Sequence, residues 1–249
     1  QLSARVIFDL VTAIQEQKPL VVPQLLVESF QALLEQSWDD LSYLACLLVL
    51  PAENYLASQM DVIDTSAIHQ ARDHVKHCLA EQLKTQFTAL YQENHQAEIG
   101  EMNAQAAAKR KIKNVCLDYL SQLEQDASYS LTEQQFSQAK TMTDQIAALA
   151  AIVNSEHPAK SNCLEAFYQQ WQAEALVIDK WFTLQAMSKQ ADTLTVVKGL
   201  LDHPAFDLKN PNRVRSLMGA FSQSNPVHFH VEQGEGYQLL ADQVIALNS

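Results

Sequence analysis

An asparagine, a proline and two arginines near the end of the chain have types and spacing that suit anion binding. Asn210 is a good N-cap and Pro211 a good first helical residue, so a helix is predicted to begin there. A helix N-terminus presents unpaired N–H groups, and Arg213 and Arg215 add two guanidinium groups in or near the first turn. The segment could therefore bind a carboxylate, for example the C-terminus of a peptide.

The same two arginines have a purely structural alternative. Cations in the first turn oppose the helix dipole, so a nearby carboxylate would be needed to offset them. Asp207, Glu232 and Glu235 are the candidate partners for such an ion pair. The residue types alone favour an internal ion pair with one of these three over a binding site.

The histidines offer two weaker arrangements, and neither is part of a His-Glu-x-x-His motif. His74 and His77 lie three residues apart on one predicted helix face but lack a convincing third ligand, so we interpret them as surface residues. His228, His230 and Glu232 alternate along a predicted loop, where extended backbone could direct all three to one side. One His-x-His pair rarely completes a coordination sphere, so we expect no metal here.

No motif for a nucleophile or a phosphate loop is present in the sequence. The 249 residues carry 17 Lys and Arg against 29 Asp and Glu, a net charge of −12, which disfavours nucleic acid and anionic membranes as partners. The basic run at Lys109, Arg110, Lys111 and Lys113 is interpreted as a solvated helix face. The chain therefore contains no predicted active site of its own.

The sequence also indicates whether the chain could span a membrane and whether its cysteines form disulfides. No apolar run approaches the roughly 20 residues that span a bilayer. The four cysteines, widely spaced in apolar helical contexts, are predicted to be buried thiols, which fits the cytoplasm.

Helical periodicity runs through nearly the whole chain, and no stretch alternates with the period of a strand. One continuous helix is predicted from about Thr65 to Glu93, because apolar residues recur there at steps of three, four and seven. Another is predicted to begin at Thr132, which forms a capping box with Gln135.

Prolines punctuate the C-terminal half. His157-Pro158 and His203-Pro204 predict breaks, with helices near 160–172 and 174–187 between them and Asp192 capping the next. Val177, Trp181 and Leu184 are predicted to form a core stripe. About a dozen helices with short connections indicate an all-α fold, an irregular α-solenoid or superhelix of antiparallel helix pairs of the armadillo or HEAT type.

Six stretches in one order resemble the C-terminal domain of bacterial aminopeptidase N, a zinc peptidase family with a His-Glu-x-x-His motif. They are LPAENYLASQMDVID (50–64), NVCLDYL (114–120), AKTMTDQIAALAA (139–151), LVIDKWFTLQA (176–186), NPNRVRSLMGAFSQSNPVHFH (210–230) and GEGYQLLADQVIALN (234–248). The resemblance covers nearly the whole chain and is densest after Cys163.

The resemblance implies that residues 1–249 are a single helical C-terminal domain, cut short at its C-terminal end, whose zinc-bearing catalytic domain is absent. It implies an accessory role, in which the domain caps the active-site chamber, contacts its own catalytic domain and lines the channel for peptide substrates. By this resemblance Arg215, with Arg213 and Asn210 beside it, lies in the channel wall. The fragment alone is expected to be inactive and without a cofactor, while zinc belongs to the complete enzyme.

The sequence also predicts an uncovered face on the last helix. The last helix, near 237–247, should have an apolar face of Leu240, Val244 and Leu247 left uncovered.

The competing functional hypothesis is a free-standing helical-repeat scaffold that binds partner proteins.

Overall fold

The computed structural model describes residues 1–96 and 103–247, with the side chain of Gln96 left out. All regular elements in these residues are helical, which confirms the predicted all-α class. The contacts divide the chain into two compact units, residues Gln1–Ile152 and Val153–Ser249. Each unit is described by itself.

The first unit contains most of the long helices. Its elements are α1 (Leu2–Gln15), α2 (Gln24–Glu35), α3 (Leu41–Leu48), α4 (Glu53–Ala57), α5 (Thr65–Gln82), α6 (Lys84–Gln96), α7 (Ala104–Leu120), a 3₁₀ turn (Ser121–Leu123), α8 (Asp126–Gln138) and α9 (Met142–Val153), whose last residue belongs to the second unit. Asp40, Asp64 and Asn103 cap α3, α5 and α7 by accepting backbone N–H bonds.

Tyr119 of α7 lies at the centre of this unit. Its ring stacks on Phe87 of α6 with 4.4 Å between centroids, and Phe30 of α2 meets its edge. Its hydroxyl donates a 2.6 Å hydrogen bond to the Leu48 carbonyl, so the polar end of a fully buried ring is satisfied. Burial raises the pKa of Tyr119. One aromatic side chain therefore joins four helices.

The helix predicted from Thr65 to Glu93 is two helices, because the chain turns at Leu83 between α5 and α6. The apolar stripe is nonetheless buried on both sides of the turn, including Val75, Leu79 and Phe87. The periodicity therefore identified the buried face correctly and missed a local bend.

The predicted helix start at Thr132 is wrong. Helix α8 begins at Asp126, and Thr132 is a buried residue in its middle. Its hydroxyl lies 2.9 Å from the Tyr129 carbonyl and 3.1 Å from that of Ser128, so it bonds backward within the helix. Gln135 serves tertiary packing instead, since its amide donates to Asn114 and to the Asp144 carbonyl.

The basic run on α7 is not a solvated face, and this prediction is also wrong. Arg110 and Lys113 are buried, and Lys113 Nζ lies 2.9 Å from Asp144 Oδ2 of α9. Lys111 reaches the Ser42 carbonyl of α3. The run alternates between buried and exposed positions because helical spacing directs neighbouring residues to different faces.

The second unit is built from shorter helices. They are α10 (Lys160–Trp171), α11 (Ala175–Ala186), α12 (Thr193–Leu201), α13 (Pro211–Val214), a π-helical segment (Arg215–Gly219), α14 (Ala220–Ser224), α15 (Pro226–Phe229) and α16 (Glu235–Leu247). The breaks at His157-Pro158 and His203-Pro204 are confirmed, and α10 and α11 begin and end within two residues of their predicted bounds. Asp192 occupies the predicted N-cap position, but its side chain makes no capping bond.

Helix α11 buries Ile178, Trp181 and Phe182, so the core stripe is rotated from the predicted one, of which only Trp181 is buried. Trp181 Nε1 donates a 3.0 Å bond to the Leu164 carbonyl of α10.

At the end of the unit, Gly236 of α16 packs so closely on the Phe229 carbonyl that a Cβ would clash. Val244 and Leu247 on its other side are exposed, as the sequence predicted, while Leu240 is partly buried.

None of the four cysteines forms a disulfide; Cys116 and Cys163 are buried as predicted, but Cys46 is exposed and Cys78 only partly buried. Among residues 1–96 and 103–247, no helix combines the length and apolarity that crossing a membrane requires.

Candidate anion-binding site

Asn210 and Pro211 begin a helix as the sequence predicted. The Asn210 side-chain oxygen accepts hydrogen bonds from the N–H groups of Asn212, at 3.0 Å, and Arg213, at 3.3 Å. Pro211 follows as the first helical residue, where its missing N–H is not needed. The helix continues without a break through the π-helical segment to Ser224.

Arg213 points into the core of the second unit. Its Nη1 lies 2.9 Å from Asp179 Oδ1 of α11, and both side chains are largely buried, 8% and 17% exposed. The guanidinium carbon lies 5.1 Å from the centroid of the Phe182 ring. Nε and Nη1 make no well-directed hydrogen bond, so the contact is held by charge and ring packing.

The internal ion pair favoured by the residue types therefore forms, but with a different partner. The expected acceptors were Asp207, Glu232 and Glu235. Asp207 Oδ1 instead accepts the Lys209 N–H, and Glu235 lies 3.3 Å from Lys198. Asp179 lies in a segment that the sequence predicts to be an aromatic core, so it is not among the predicted partners. The signal was a carboxylate within an apolar helix, which needs a cationic partner when buried.

Arg215 is the exposed member of the arginine pair. Its Nη1 makes a long 3.4 Å contact with the Asn212 side-chain oxygen, and no carboxylate of the described residues lies within ion-pair distance. The two arginines, two positions apart, thus face in different directions. Of the two, Arg215 alone has a guanidinium available to an incoming anion.

The backbone at Arg215 is unusual. The Ala220 N–H bonds to the Arg215 carbonyl, five residues back, which defines a π-helical turn. Thr183 Oγ1 of α11 lies 3.0 Å from the Ser216 carbonyl, and Ser216 Oγ donates to the Arg213 carbonyl at 2.9 Å. Such turns are rare and occur often at functional sites. The residue types at 215–219 carry no mark of a π-helical turn, so the turn is not predictable from the sequence.

His203 lies beside this cluster among aromatic rings. Its ring centroid is 4.8 Å from that of Tyr168 and 5.1 Å from that of Trp181. Burial lowers the pKa of His203, the Glu165 carboxylate raises it, and the Arg213 charge lowers it further. The net lowering favours the neutral ring at neutral pH, so His203 adds no charge to the site.

Histidines of the two arrangements make other contacts in the structure. No group of three or more His, Cys, Asp or Glu side chains suited to a metal occurs in residues 1–96 and 103–247. His77 contacts the Gln122 carbonyl. The segment predicted to be an extended loop is partly helical, because His228 belongs to α15, and His230 contacts the Tyr237 hydroxyl.

Comparison with known proteins gives a consistent result. A family model described as "Domain of unknown function (DUF3458_C) ARM repeats" matches residues 1–249. The chain is similar to aminopeptidase N of Escherichia coli K12, with 39% identity over 235 residues that cover 94% of this chain and 27% of that protein. It is also similar to aminopeptidase N of Haemophilus influenzae, with 32% identity covering 96% of this chain and 27% of that protein.

A solved structure agrees in fold. Legionella pneumophila aminopeptidase A in complex with aspartic acid matches with a TM-score of 0.87 and 29% identity, over 98% of this chain and 30% of that one. The chain spans about a quarter of the length of the curated relatives it matches. It therefore belongs to the DUF3458_C ARM-repeat family and corresponds to the C-terminal region of aminopeptidase N.

Proposed function

We propose that this chain is the accessory C-terminal domain of a zinc aminopeptidase that removes N-terminal residues from peptides. In this proposal the domain caps the active-site chamber, packs on its own catalytic domain and lines the channel that holds the peptide. Arg215 binds the carboxylate at the far end of the substrate. The similarity to aminopeptidase N along 94% of the chain supports the assignment to this enzyme class.

The role proposed for Arg215 is supported by the different environments of the two arginines. Arg213 is buried against Asp179, whereas Arg215 is exposed near a helix start. A guanidinium can bind a carboxylate through two parallel N–H bonds, and the nearby helix N-terminus adds a favourable partial charge. In a chain of net charge −12, such a local positive site would be selective for one end of a peptide.

Zinc and the catalytic glutamate are assigned to the catalytic domain of the parent enzyme. The described residues contain no three-ligand group, so they do not fit the metal. The contribution proposed for this chain is to orient the substrate and to exclude water, which raises the effective concentration of the reacting groups.

The experiment replaces Arg215 with alanine in the complete parent enzyme. Peptides of one sequence are compared as the free acid and as the C-terminal amide. We expect kcat/KM for the acid to fall about five- to tenfold, mainly through KM, because a charge-assisted contact made equally in the ground and transition states is lost. The amide should change by less than about twofold.

Lys198→Ala is the matched control, because it removes an exposed positive charge of the same unit at a distance in sequence from the π-helical segment. It should leave the ratio of acid to amide unchanged. An equal loss for acid and amide peptides in Arg215→Ala would remove the channel role.

A second candidate is the free-standing helical-repeat scaffold, which the ARM-repeat description of the family model favours. The parent polypeptide separates the two. A His-Glu-x-x-His segment encoded upstream in the same reading frame would exclude the scaffold, and a reading frame limited to this region would exclude the aminopeptidase domain.

The proposed location is the cytoplasm, supported by four cysteines without a disulfide. Nucleic acid and membranes are not among the proposed partners, because the net charge of −12 opposes both.

A further inference from the structure

The π-helical segment begins at the residue proposed to bind substrate. A π-helical turn contains one extra residue, so it changes the direction of the side chains that follow relative to those before it. It is less stable than an α-helical turn and persists where surrounding contacts support it. The contacts around Arg215 should therefore identify what supports the turn.

Two such contacts come from α11 and bracket Arg215. On one side, Asp179 Oδ1 lies 2.9 Å from Arg213 Nη1. On the other side, Thr183 Oγ1 lies 3.0 Å from the Ser216 carbonyl, and Ser216 Oγ is 3.5 Å from the same Asp179 oxygen. Residues Arg213 and Ser216 are both buried, so the backbone is fixed before and after Arg215.

The Thr183 hydroxyl has one hydrogen and two possible acceptors. It lies 2.9 Å from the Asp179 carbonyl in its own helix and 3.0 Å from the Ser216 carbonyl in the neighbouring one. The Asp179 carbonyl lies in regular α-helix, where the N–H four residues on already donates to it. The Thr183 hydroxyl therefore matters to the structure through its contact with the Ser216 carbonyl, which lies in the π-helical segment.

We infer that Thr183 and Asp179 are positioning residues that set the direction of Arg215 through the π-helical segment. This inference rests on the proposed function, because direction matters only if Arg215 binds an anion. Neither residue touches the substrate. They act by holding the turn in the register that leaves the Arg215 guanidinium exposed.

The test uses Thr183→Val in the complete parent enzyme, which keeps the shape of the side chain and removes the hydroxyl. Free-acid and amidated peptides of one sequence are again compared. We expect the ratio of kcat/KM for acid over amide to fall to within about twofold of the Arg215→Ala value, through KM. Thr183→Ser restores the hydroxyl and should restore the ratio.

Thr88→Val is the matched control. Thr88 makes the same backward bond, 2.7 Å to the Lys84 carbonyl, in a helix of the first unit. Any general effect of replacing a helical threonine with valine will appear there. We expect no change in the ratio.

Two further measurements keep the inference testable if Thr183→Val folds poorly. Asp179→Asn keeps the side-chain size but removes the charge that pairs with Arg213, and it should lower the same ratio. Combining Thr183→Val with Arg215→Ala should lower the ratio no further than Arg215→Ala alone, because both changes remove the same interaction with the substrate carboxylate.

The outcomes separate the two claims. If Arg215→Ala lowers the ratio while folded Thr183→Val and Asp179→Asn do not, the positioning role is overturned and the proposed function stands. If Arg215→Ala itself leaves the ratio unchanged, the proposed function fails and the positioning role fails with it. A full additive loss in the double variant would also overturn the inference.

Discussion

Each unit of the molecule contains a buried ion pair whose cation lies close in sequence to another basic residue. In the first unit Lys113 of α7 pairs with Asp144 of α9, and the side chains are 2% and 5% exposed. In the second unit Arg213 pairs with Asp179, and water reaches part of the carboxylate. The two pairs join helices in the same way, yet their surroundings differ.

The Lys113 pair lies in a network of amide side chains. Asp144 Oδ1 also accepts from Asn114, whose oxygen accepts from Gln135, and Gln135 in turn accepts from the Tyr91 hydroxyl. Such a network satisfies several lone pairs and is costly to leave half-formed. Burial raises the pKa of Tyr91, with the Asp144 charge adding to the shift, so the phenol stays a donor at neutral pH.

The Arg213 pair lies against an aromatic ring and next to an exposed arginine. Fewer hydrogen bonds hold it, and the neighbouring backbone is π-helical. In the proposed function, the second pair also supports the surface around Arg215 that binds the substrate, whereas no such role is proposed for the first pair.

The largest effect is expected at Asp144. Asp144→Ala leaves the Lys113 charge buried without its carboxylate, which should lower the free energy of unfolding by about 3–5 kcal/mol. Urea unfolding of the chain measures it, with the exposed pair Lys198–Glu235 as control. Lys198→Ala should cost about 1 kcal/mol or less. A small loss for Asp144→Ala would mean that the network contributes little to stability.

A smaller effect is expected at Asp179. Asp179→Ala should lower the free energy of unfolding by about 2–3 kcal/mol, because water reaches part of the carboxylate and can solvate the arginine after the change. The same urea series checks it. If Asp179→Ala costs as much as Asp144→Ala, the contrast between a closed core pair and a partly open one is wrong.

Replacing Gly219 should stabilise the chain, in contrast to the two aspartate substitutions. A Cβ there would meet Arg215 Cβ at 3.7 Å, an ordinary contact, and the backbone is helical. Gly219→Ala should therefore raise the free energy of unfolding by about 0.5–1 kcal/mol by reducing the freedom of the unfolded chain. Gly236→Ala is the contrast, because its Cβ would clash with the Phe229 carbonyl and should destabilise the chain. Destabilisation by Gly219→Ala would show that the π-helical segment needs glycine.

The smallest effect is expected in the pH dependence of the free energy of unfolding. Burial lowers the pKa of His95 in the first unit and of His203 in the second, with the Lys113 and Arg213 charges respectively also acting to lower it. The folded state then binds fewer protons than the unfolded state, so stability should fall as pH drops from about 6.5 through the lowered pKa values.

The variants His95→Asn and His203→Asn should each flatten this loss in unfolding curves recorded between pH 7.5 and 5. The amide oxygen introduced by His203→Asn can still accept the Ala205 N–H bond that the histidine ring accepts at 3.1 Å, so the local turn is kept. An unchanged pH dependence in both variants would assign the acid sensitivity elsewhere.

The sequence predicted the features that depend on local chemistry. Asn210 caps a helix with Pro211 at its first position, and the two His-Pro steps lie in the connections between helices, where the restricted backbone before proline favours a break. All-α class followed in the same way from composition and periodicity. The buried side of the 65–93 region was also predictable, since apolar spacing selects it.

Three of the predictions that failed, those for Thr132, for the basic run of α7 and for the partner of Arg213, depend on residues distant in the chain. Thr132 and Gln135 have capping-box spacing, but the amide is used by Asn114 and Asp144, and the helix begins earlier. Lys113 is buried because Asp144 lies opposite it. No local rule could tell which cation of a run meets a carboxylate on another helix, and the same limit hid Asp179 as the partner of Arg213.

We propose that Arg213 holds the fold and that Arg215 binds the substrate carboxylate. The most direct measurement compares Arg213→Met and Arg215→Met in the parent enzyme for the ratio of kcat/KM between free-acid and amidated peptides, alongside urea unfolding of the same variants. We expect Arg215→Met to lower the ratio about five- to tenfold with stability within about 0.5 kcal/mol of the parent, and Arg213→Met to cost about 2–3 kcal/mol of stability. A stable Arg215→Met enzyme with an unchanged ratio would show that Arg215 does not bind the substrate carboxylate.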